Sequence, residues 1–174
     1  MFKEERTSPK FDWEMLGDVN LGRPNLGTTI DVVIYRLMQF TLRDIMIVEC
    51  GAEKTDKIFY MAGELAGKEF FKNIIEERED FDRFIIELQE KLEAYKMGIL
   101  RIEKVDLKNL NFTLAVAEDL DCSGLPMCDE QICTYDEGFL NGVLHSFTGQ
   151  EFEVKEIDCW CSGDRVCRFE IKKI

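Results

Sequence analysis

Residues 131–171 read QICTYDEGFLNGVLHSFTGQEFEVKEIDCWCSGDRVCRFEI and contain four of the seven cysteines of the chain. These are Cys133, Cys159, Cys161 and Cys167, and Glu156 lies just before the last three. Zinc in proteins is held by about four ligands in a tetrahedron, and thiolates with an occasional carboxylate or imidazole are its usual donors. The stretch therefore predicts a metal site in the C-terminal third of the chain.

The spacing of these residues does not by itself select four ligands. On a regular strand successive side chains point to opposite faces, so Cys159 and Cys161 would share one face and Glu156 would lie on the other, unless the strand is interrupted. Strand geometry alone therefore favours Cys133, Cys159, Cys161 and Cys167.

The same stretch carries a spaced motif, Glu156-x-x-Cys159-x-x-x-Gly163-Asp164-x-x-Cys167-x-Phe169, preceded by Cys133 and by Gly138-Phe139-Leu140-x-Gly142. This motif resembles the hydrocarbon-binding domain named after 4-vinyl reductase. That domain is similar to the ligand-sensing domain of phenol-responsive transcription activators and, more distantly, to core subunits of a Golgi tethering complex. In the sensors the zinc ligands are a cysteine, a glutamate and two further cysteines. The matching intervals imply zinc on Cys133, Glu156, Cys159 and Cys167, with Cys161 as the substitute for Glu156.

The resemblance also implies an apolar pocket between a sheet and its covering helices, and a homodimer. Its motif covers the last third of the chain, but a length of 174 residues suits one domain. We therefore expect a single hydrocarbon-binding domain over residues 1–174. Residues 1–27 combine charges with two prolines and three glycines and show no helical or alternating period. They predict an N-terminal arm of the kind that packs on a partner subunit.

The charge of the chain argues against two classes of partner. Thirty-five acidic and 22 basic residues give a net charge of −13, the wrong sign for direct binding to nucleic acid. Residues 118–158 contain eleven acidic residues and one basic residue, so this part would also be repelled by an anionic membrane. No apolar run approaches the roughly 18 residues that span a bilayer, so we expect no membrane insertion.

The cysteine count favours a reducing compartment. The number is odd, and no charged and apolar signal sequence precedes the cysteines. We therefore expect a cytoplasmic protein with metal-bound or buried thiols. Cys122 and Cys128 are six residues apart, which fits a reversible disulfide, a second metal or plain thiols, and plain thiols are favoured.

Apolar periodicity predicts an α+β fold. Helical spacing appears in residues 31–48, about 55–74, 80–98 and 136–147, with Asp31 and Asp80 as N-caps. The apolar stripe of the first helix is expected to be buried. Strand patterns in residues 100–105, 112–117, 151–158 and 166–171 form two hairpins. The order predicts an antiparallel sheet of about four strands packed against helices, with a zinc-stapled C-terminal part.

Two glycines one turn apart, Gly63 and Gly67, stand in the middle of the second predicted helix. Glycine costs about 1 kcal/mol against alanine in a helix, so something is expected to approach this backbone closely. A neighbouring helix and a bound ligand are both compatible with the pattern. For the ligand, the predicted contacts are Phe59, Tyr60, Gly63, Gly67, Phe112 and Leu114.

The sequence lacks the phosphate-binding, zinc-protease and serine-hydrolase motifs that mark common enzymes. His145 is the only histidine and has no catalytic partner at a telling spacing, so a surface or core role is favoured. The leading hypothesis is a zinc-containing binding module for a small hydrophobic molecule, acting as a sensor or carrier. The alternatives are a subunit of a tetrapyrrole vinyl-group reductase, which makes enzymatic activity an open question, and a purely structural interaction subunit.

Overall fold

The chain divides into two compact units in a computed structural model that describes residues 2–174, with the boundary between Ile30 and Asp31. The first unit contains a 3-10 helix, Trp13–Leu16, and one short α-helix, α1 (Val19–Gly22). The side chain of Asp18 caps α1 by accepting a hydrogen bond from the backbone N–H of Leu21 at 2.9 Å. Both elements are about one turn long, so neither produces a period that a sequence pattern can reveal.

Four long helices lie in the second unit: α2 (Val32–Cys50), α3 (Ala52–Ile74), α4 (Phe81–Ala94) and α5 (Thr134–Thr148). Asp31 and Asp80 cap α2 and α4 through their side chains, as the sequence predicts. Helix α3 begins three residues before the predicted Thr55, because Gly51 at φ 84° both ends α2 and starts α3. No helix within residues 2–174 is both long enough and apolar enough to cross a membrane.

The sheet contains four strands: β1 (Ile99–Asp106), β2 (Asn111–Ala117), β3 (Phe152–Asp158) and β4 (Cys167–Lys173). Their order is β1-β2-β4-β3, and every neighbouring pair is antiparallel. The predicted α+β fold with a four-stranded antiparallel sheet is therefore confirmed. The central pairing sets Val116 of β2 opposite Cys167 of β4, which brings the loop after β2 close to the start of β4.

The core lies between the sheet and helices α3, α4 and α5. Its centre is aromatic: the rings of Phe84 and Phe147 stack with centroids 4.2 Å apart, and Phe81 stacks on Phe112 at 5.3 Å. Leu114, Phe169 and Ile171 cover the sheet beneath them and are fully buried. This core fixes α5 over β3 and β4, and α5 carries the first cysteine of the predicted metal site at its N-terminus.

Helices α3 and α5 pack backbone to backbone through four glycines. A Cβ at Gly63 would lie 2.0 Å from the carbonyl oxygen of Tyr135, and one at Gly67 would lie 2.2 Å from that of Phe139. Gly138 and Gly142 approach α3 in the same way. The close approach that the glycine pair predicts is therefore made by a neighbouring helix, the first of the two alternatives.

Helix α2 corrects one expectation from the sequence. Its apolar stripe has the predicted helical period, yet no residue of α2 is buried. Its polar side chains, not its apolar ones, contact the rest of the second unit. Periodicity identifies a stripe but does not say what covers it, so the prediction of a buried stripe was wrong within this chain.

Candidate metal centre and neighbouring pocket

Four buried thiols form one compact group, which is called the thiol group below. Its members are Cys122, Cys133, Cys159 and Cys167, whose Sγ atoms all lie within 4.8 Å of one another. The Sγ atom of Cys133 is 3.9 Å from that of Cys159 and 3.8 Å from that of Cys167. A tetrahedral zinc with bonds of about 2.3 Å separates its sulfur ligands by about 3.8 Å. The thiol group can therefore hold a metal ion with little rearrangement at these three residues.

Each thiol comes from a different segment of the fold. Cys133 caps the N-terminus of α5, Cys159 precedes a 3-10 helix, Trp160–Ser162, and Cys167 is the first residue of β4. Cys122 lies in the turn after β2, where Oδ1 of Asp119 accepts hydrogen bonds from the backbone N–H groups of Asp121 and Cys122 at 2.9 and 3.0 Å. A metal bound here would fasten α5, the sheet and two loops together.

Cys122 is the member of the thiol group that sequence analysis missed. Its spacing from Cys128 favoured two plain thiols, but its Sγ atom lies 3.0 Å from that of Cys167. The neighbourhood arises from the pairing of β2 with β4, which the two predicted hairpins did not specify. A prediction that placed those strands side by side would have brought the loop after β2 to the metal site.

Glu156 lies at the edge of the thiol group and is fully buried. Its Oε2 atom accepts a hydrogen bond from the backbone N–H of Cys133 at 3.1 Å, while Oε1 has no hydrogen-bond partner within residues 2–174. Burial raises the pKa of Glu156 to about 8, with the charge of Cys159 acting in the same direction. Three predicted ligands thus lie in the thiol group with Glu156 beside them, and its role as the fourth ligand stays a prediction.

Cys161 lies outside the thiol group although it is buried. The chain leaves the strand after Asp158 and enters the 3-10 helix, so the alternation that pairs Cys161 with Cys159 does not continue. The carbonyl oxygen of Cys161 instead accepts hydrogen bonds from the backbone N–H groups of Cys128 and Asp129. Cys128 is exposed, so the structure separates it from Cys122.

Hydrogen bonds within the thiol group divide its protons unequally. Cys122, Cys133 and Cys167 lower the pKa of Cys159, because their S–H groups can donate to its thiolate. Hydrogen bonding to the other thiols, together with burial, raises the pKa of Cys133. Negative charge is therefore concentrated on Cys159, at the point where four thiols converge. This arrangement favours a bound cation.

An apolar pocket of about 380 Å³, called the α2 pocket below, lies beside the thiol group. Its walls come from α2 and from residues 125–132, and Cys161 also lines it. The apolar lining residues are Phe40, Ile47, Leu125, Pro126 and Ile132, and the charged ones are Arg43, Asp44 and Glu130. The pocket thus presents a mostly apolar surface with a few charges.

The six residues predicted to contact a ligand have other contacts in this structure. Gly63 and Gly67 touch α5, and the side chains of Phe112 and Leu114 are buried in the core. Tyr60 accepts a hydrogen bond at its hydroxyl from Asn141 at 3.0 Å. Phe59 packs under the guanidinium of Arg43, which lines the α2 pocket. Their role as ligand contacts stays a prediction.

Comparison with known proteins places this geometry in a family context. Residues 112–173 match the model of the 4-vinyl reductase domain. The chain is 29% identical over 150 residues to the uncharacterized protein MJ1642 of Methanocaldococcus jannaschii, an alignment that covers 86% of this chain and 81% of that protein.

Two solved structures are similar in fold. The phenol-responsive sensory domain of the transcription activator PoxR, solved with phenol, matches with a TM-score of 0.63 and 15% identity, covering 84% of this chain and 76% of that one. Subunit 3 of a trafficking protein particle complex from Naegleria fowleri, covalently bound to palmitic acid, matches with a TM-score of 0.62 and 11% identity, covering 82% and 95%. At these identities the likeness concerns the fold.

The resemblance seen in the sequence is thus confirmed by the family match and by the fold. The matched segment contains β2 from its second residue onward, α5, β3, β4 and all four cysteines of the thiol group. Residues 112–173 of this chain therefore belong to the 4-vinyl reductase domain family.

Proposed function

We propose that the protein is a zinc-containing binding module for a small hydrophobic molecule, acting as a sensor or carrier. The observation that carries this proposal is the α2 pocket. Its volume of about 380 Å³ lies within the range of roughly 300–1,000 Å³ that is usual for small-molecule sites. The PoxR domain, which shares the fold, is described as phenol-responsive. An apolar lining with few polar groups suits a ligand of similar size that carries at most one polar substituent.

Arg43 is the residue best placed to orient such a ligand. Its guanidinium is paired with Asp56 and lies over the ring of Phe59 at 5.0 Å, so its position is fixed before a ligand arrives. It also lines the α2 pocket. A preorganised guanidinium can donate hydrogen bonds to a hydroxyl or carbonyl oxygen at low entropic cost.

Zinc would have a structural role in this module. Cys133, Cys159 and Cys167 belong to both candidate ligand sets, and either Glu156 or Cys122 completes the tetrahedron. With four protein ligands the metal has no open position for a substrate, so its binding energy contributes to folding. Elemental analysis of Glu156→Ala and Cys122→Ala proteins identifies the fourth ligand, because only the loss of the true ligand should lower zinc content.

We further propose a homodimer formed through the apolar face of α2. The helix turns its polar side inward: Arg36 Nε donates to the carbonyl oxygen of Leu120 at 2.8 Å, and the hydroxyl of Tyr35 donates to Asp121 at 2.8 Å. The outward side is apolar and exposed, and comprises Val33, Ile34, Leu37, Met38, Leu42, Ile45 and Val48. A contiguous apolar face of this kind is typical of a protein interface.

The dimer proposal can be tested by light scattering. Leu37→Asp should convert a dimer to a monomer, whereas Ile86→Asp on α4, at a residue of similar exposure, should not. A wild-type protein that is monomeric throughout a concentration series would refute the proposal. Helix α2 would also link ligand to dimer, since Phe40 and Ile47 line the α2 pocket on the same helix.

The pocket itself is tested with a matched pair of substitutions. Ile47 lines the α2 pocket and Ile58 does not, yet both are helical and 38% exposed. Ile47→Trp should fill the pocket and abolish uptake of a hydrophobic fluorescent probe, while Ile58→Trp should leave uptake unchanged. Mass spectrometry of an organic extract of the wild-type protein then seeks the native ligand.

Two outcomes would count against ligand binding. Equal probe uptake by the two tryptophan variants would show that the α2 pocket is not the site. A wild-type protein that dimerises but takes up no probe and yields no extractable ligand would favour a structural interaction subunit, for which the apolar face of α2 already supplies a surface.

A further inference from the structure

A second group of potential metal ligands adjoins the thiol group. It consists of Asp119, Cys133 and Asp136, and one carboxylate oxygen from each aspartate lies within 4.8 Å of the other and of the Cys133 Sγ. Asp119 is buried. The Oδ2 atom of Asp136 is also buried, and it has no hydrogen-bond partner within the described chain. A buried carboxylate oxygen without a donor is costly, so a missing partner is indicated at this point.

The two carboxylates face a small internal cavity of about 30 Å³. The other lining residues are Leu92, Met97, Gly98, Val116, Phe139 and Leu140, so no basic side chain of the described residues lines it. Arg36, the cation nearest to Asp119 in the hydrogen-bond network, is engaged by the carbonyl oxygens of residues 119, 120 and 123. The volume is sufficient for about one water molecule. The site thus combines two acidic groups, one thiol and room for one solvent molecule.

We propose that Asp119, Asp136 and Cys133 bind a second divalent cation, with water as the fourth ligand. Two carboxylate oxygens and a thiolate form a donor set that suits zinc. Cys133 would bridge the two ions, since its Sγ atom also lies at tetrahedral-edge distance from two other members of the thiol group. The cation supplies the positive charge that the buried carboxylates lack.

The second site would differ in kind from the first. Three protein ligands and a water molecule make an open site, whereas four protein ligands make a closed one. Its open position faces the apolar cavity formed by α4, α5 and β2. A small ligand with one oxygen donor, such as a hydroxyl or a carboxylate, could replace the water there. This inference goes beyond ligand binding in the α2 pocket and does not depend on it.

Metal stoichiometry tests the proposal directly. The full-length protein is saturated with zinc, freed of loose metal by gel filtration and analysed for zinc per chain. We expect two ions in the wild type and one in Asp136→Asn. The matched control is Glu137→Gln, which alters the neighbouring buried acid on α5 that is paired with Lys155 at 3.0 Å, and which should retain two ions.

Three results would overturn the second site: one ion per chain in the saturated wild type, two ions in folded Asp136→Asn, or equal loss in Asp136→Asn and Glu137→Gln. If Asp136→Asn does not fold, Asp119→Asn replaces it, because its amide oxygen still accepts from the turn at Cys122 while the charge is removed. A wild type without any zinc would also refute the zinc of the proposed function, whereas probe uptake tests the α2 pocket separately.

Discussion

Replacing Gly63 by alanine tests the contact on which the helical layer depends. The new Cβ would lie 2.0 Å from the carbonyl oxygen of Tyr135 and 2.9 Å from the backbone nitrogen of Phe139. Ordinary contact begins at about 3.4 Å, so α3 and α5 would have to separate by about 1.4 Å. That movement would also open the reciprocal contacts at Gly138 and Gly142.

The expected cost follows from two opposing effects. Overpacking of a close-packed site costs about 1–3 kcal/mol and occasionally more, and here the obstacle is backbone, which cannot rotate away. Alanine regains about 1 kcal/mol over glycine through its higher helix propensity. We expect a net loss of about 2 kcal/mol, which lowers the melting temperature of a chain of this size by about 4–8 °C.

Thermal and urea unfolding of Gly63→Ala and of Ala62→Gly measure this effect. Ala62 is exposed on the same helix, so its change to glycine should cost about 1 kcal/mol through propensity alone. A Gly63→Ala protein that is more stable than the wild type would refute the close approach of α5. A leucine at Gly63 would extend the same clash, so loss of probe uptake in such a variant would report on folding.

Three further expectations concern the thiol group and its surroundings. Cys122→Ser and Cys167→Ser should both lower the melting temperature and the zinc content, while Cys128→Ser, at an exposed thiol, should change neither; a Cys122→Ser protein that behaves like Cys128→Ser would exclude Cys122 as a ligand. Burial raises the pKa of Glu156 from 4.5 to about 8, so its protonated form favours the fold, and this contribution is complete below pH 4.5 and lost as the pH rises through 8. Chelator-treated protein should therefore be more stable at about pH 5 than at about pH 8.5, and Glu156→Gln should reduce that difference; an unchanged difference would contradict the assignment. Arg36→Ala leaves three carbonyl oxygens without their donor and should cost about 1.5–3 kcal/mol in urea unfolding, of which Arg36→Lys recovers only part because an ammonium cannot reproduce the guanidinium fork; equal stability of wild type and Arg36→Ala would refute this.

The secondary structure was largely predictable because its signals are local. Asp31 and Asp80 precede apolar stripes and accept the first backbone N–H groups of their helices, which is what an N-cap requires. Both hairpins follow from alternation and turn residues within short windows. The start of α3 was missed because Gly51 ends one helix and begins the next without an intervening loop.

The composition of the site was less predictable because it depends on strand order. The chain presents Cys122 forty-five residues before Cys167, and only the pairing of β2 with β4 makes them neighbours. Glu156 shows the converse: the family pattern placed it at the site, and the structure buries it there beside Cys133. The face of α2 could not be assigned either, since an apolar stripe covered by a partner has the same period as one covered by the chain itself.

Helix α2 is the element through which the separate features of the molecule are physically connected. Its polar side chains bind the turn of residues 119–123, which presents Cys122 to the thiol group and Asp119 to the small cavity. Its inner residues Phe40 and Ile47 line the α2 pocket, and its outer apolar face is exposed for a partner. A ligand that displaces α2 must therefore strain the hydrogen bonds of Arg36 as well as the proposed dimer contact. Because such coupling is reciprocal, dimerisation should change ligand affinity by the same factor by which ligand changes dimer affinity. Probe titrations of the wild type and of monomeric Leu37→Asp measure the first factor, and dilution series with and without probe measure the second. Unequal factors would show that α2 does not act as the single connecting element.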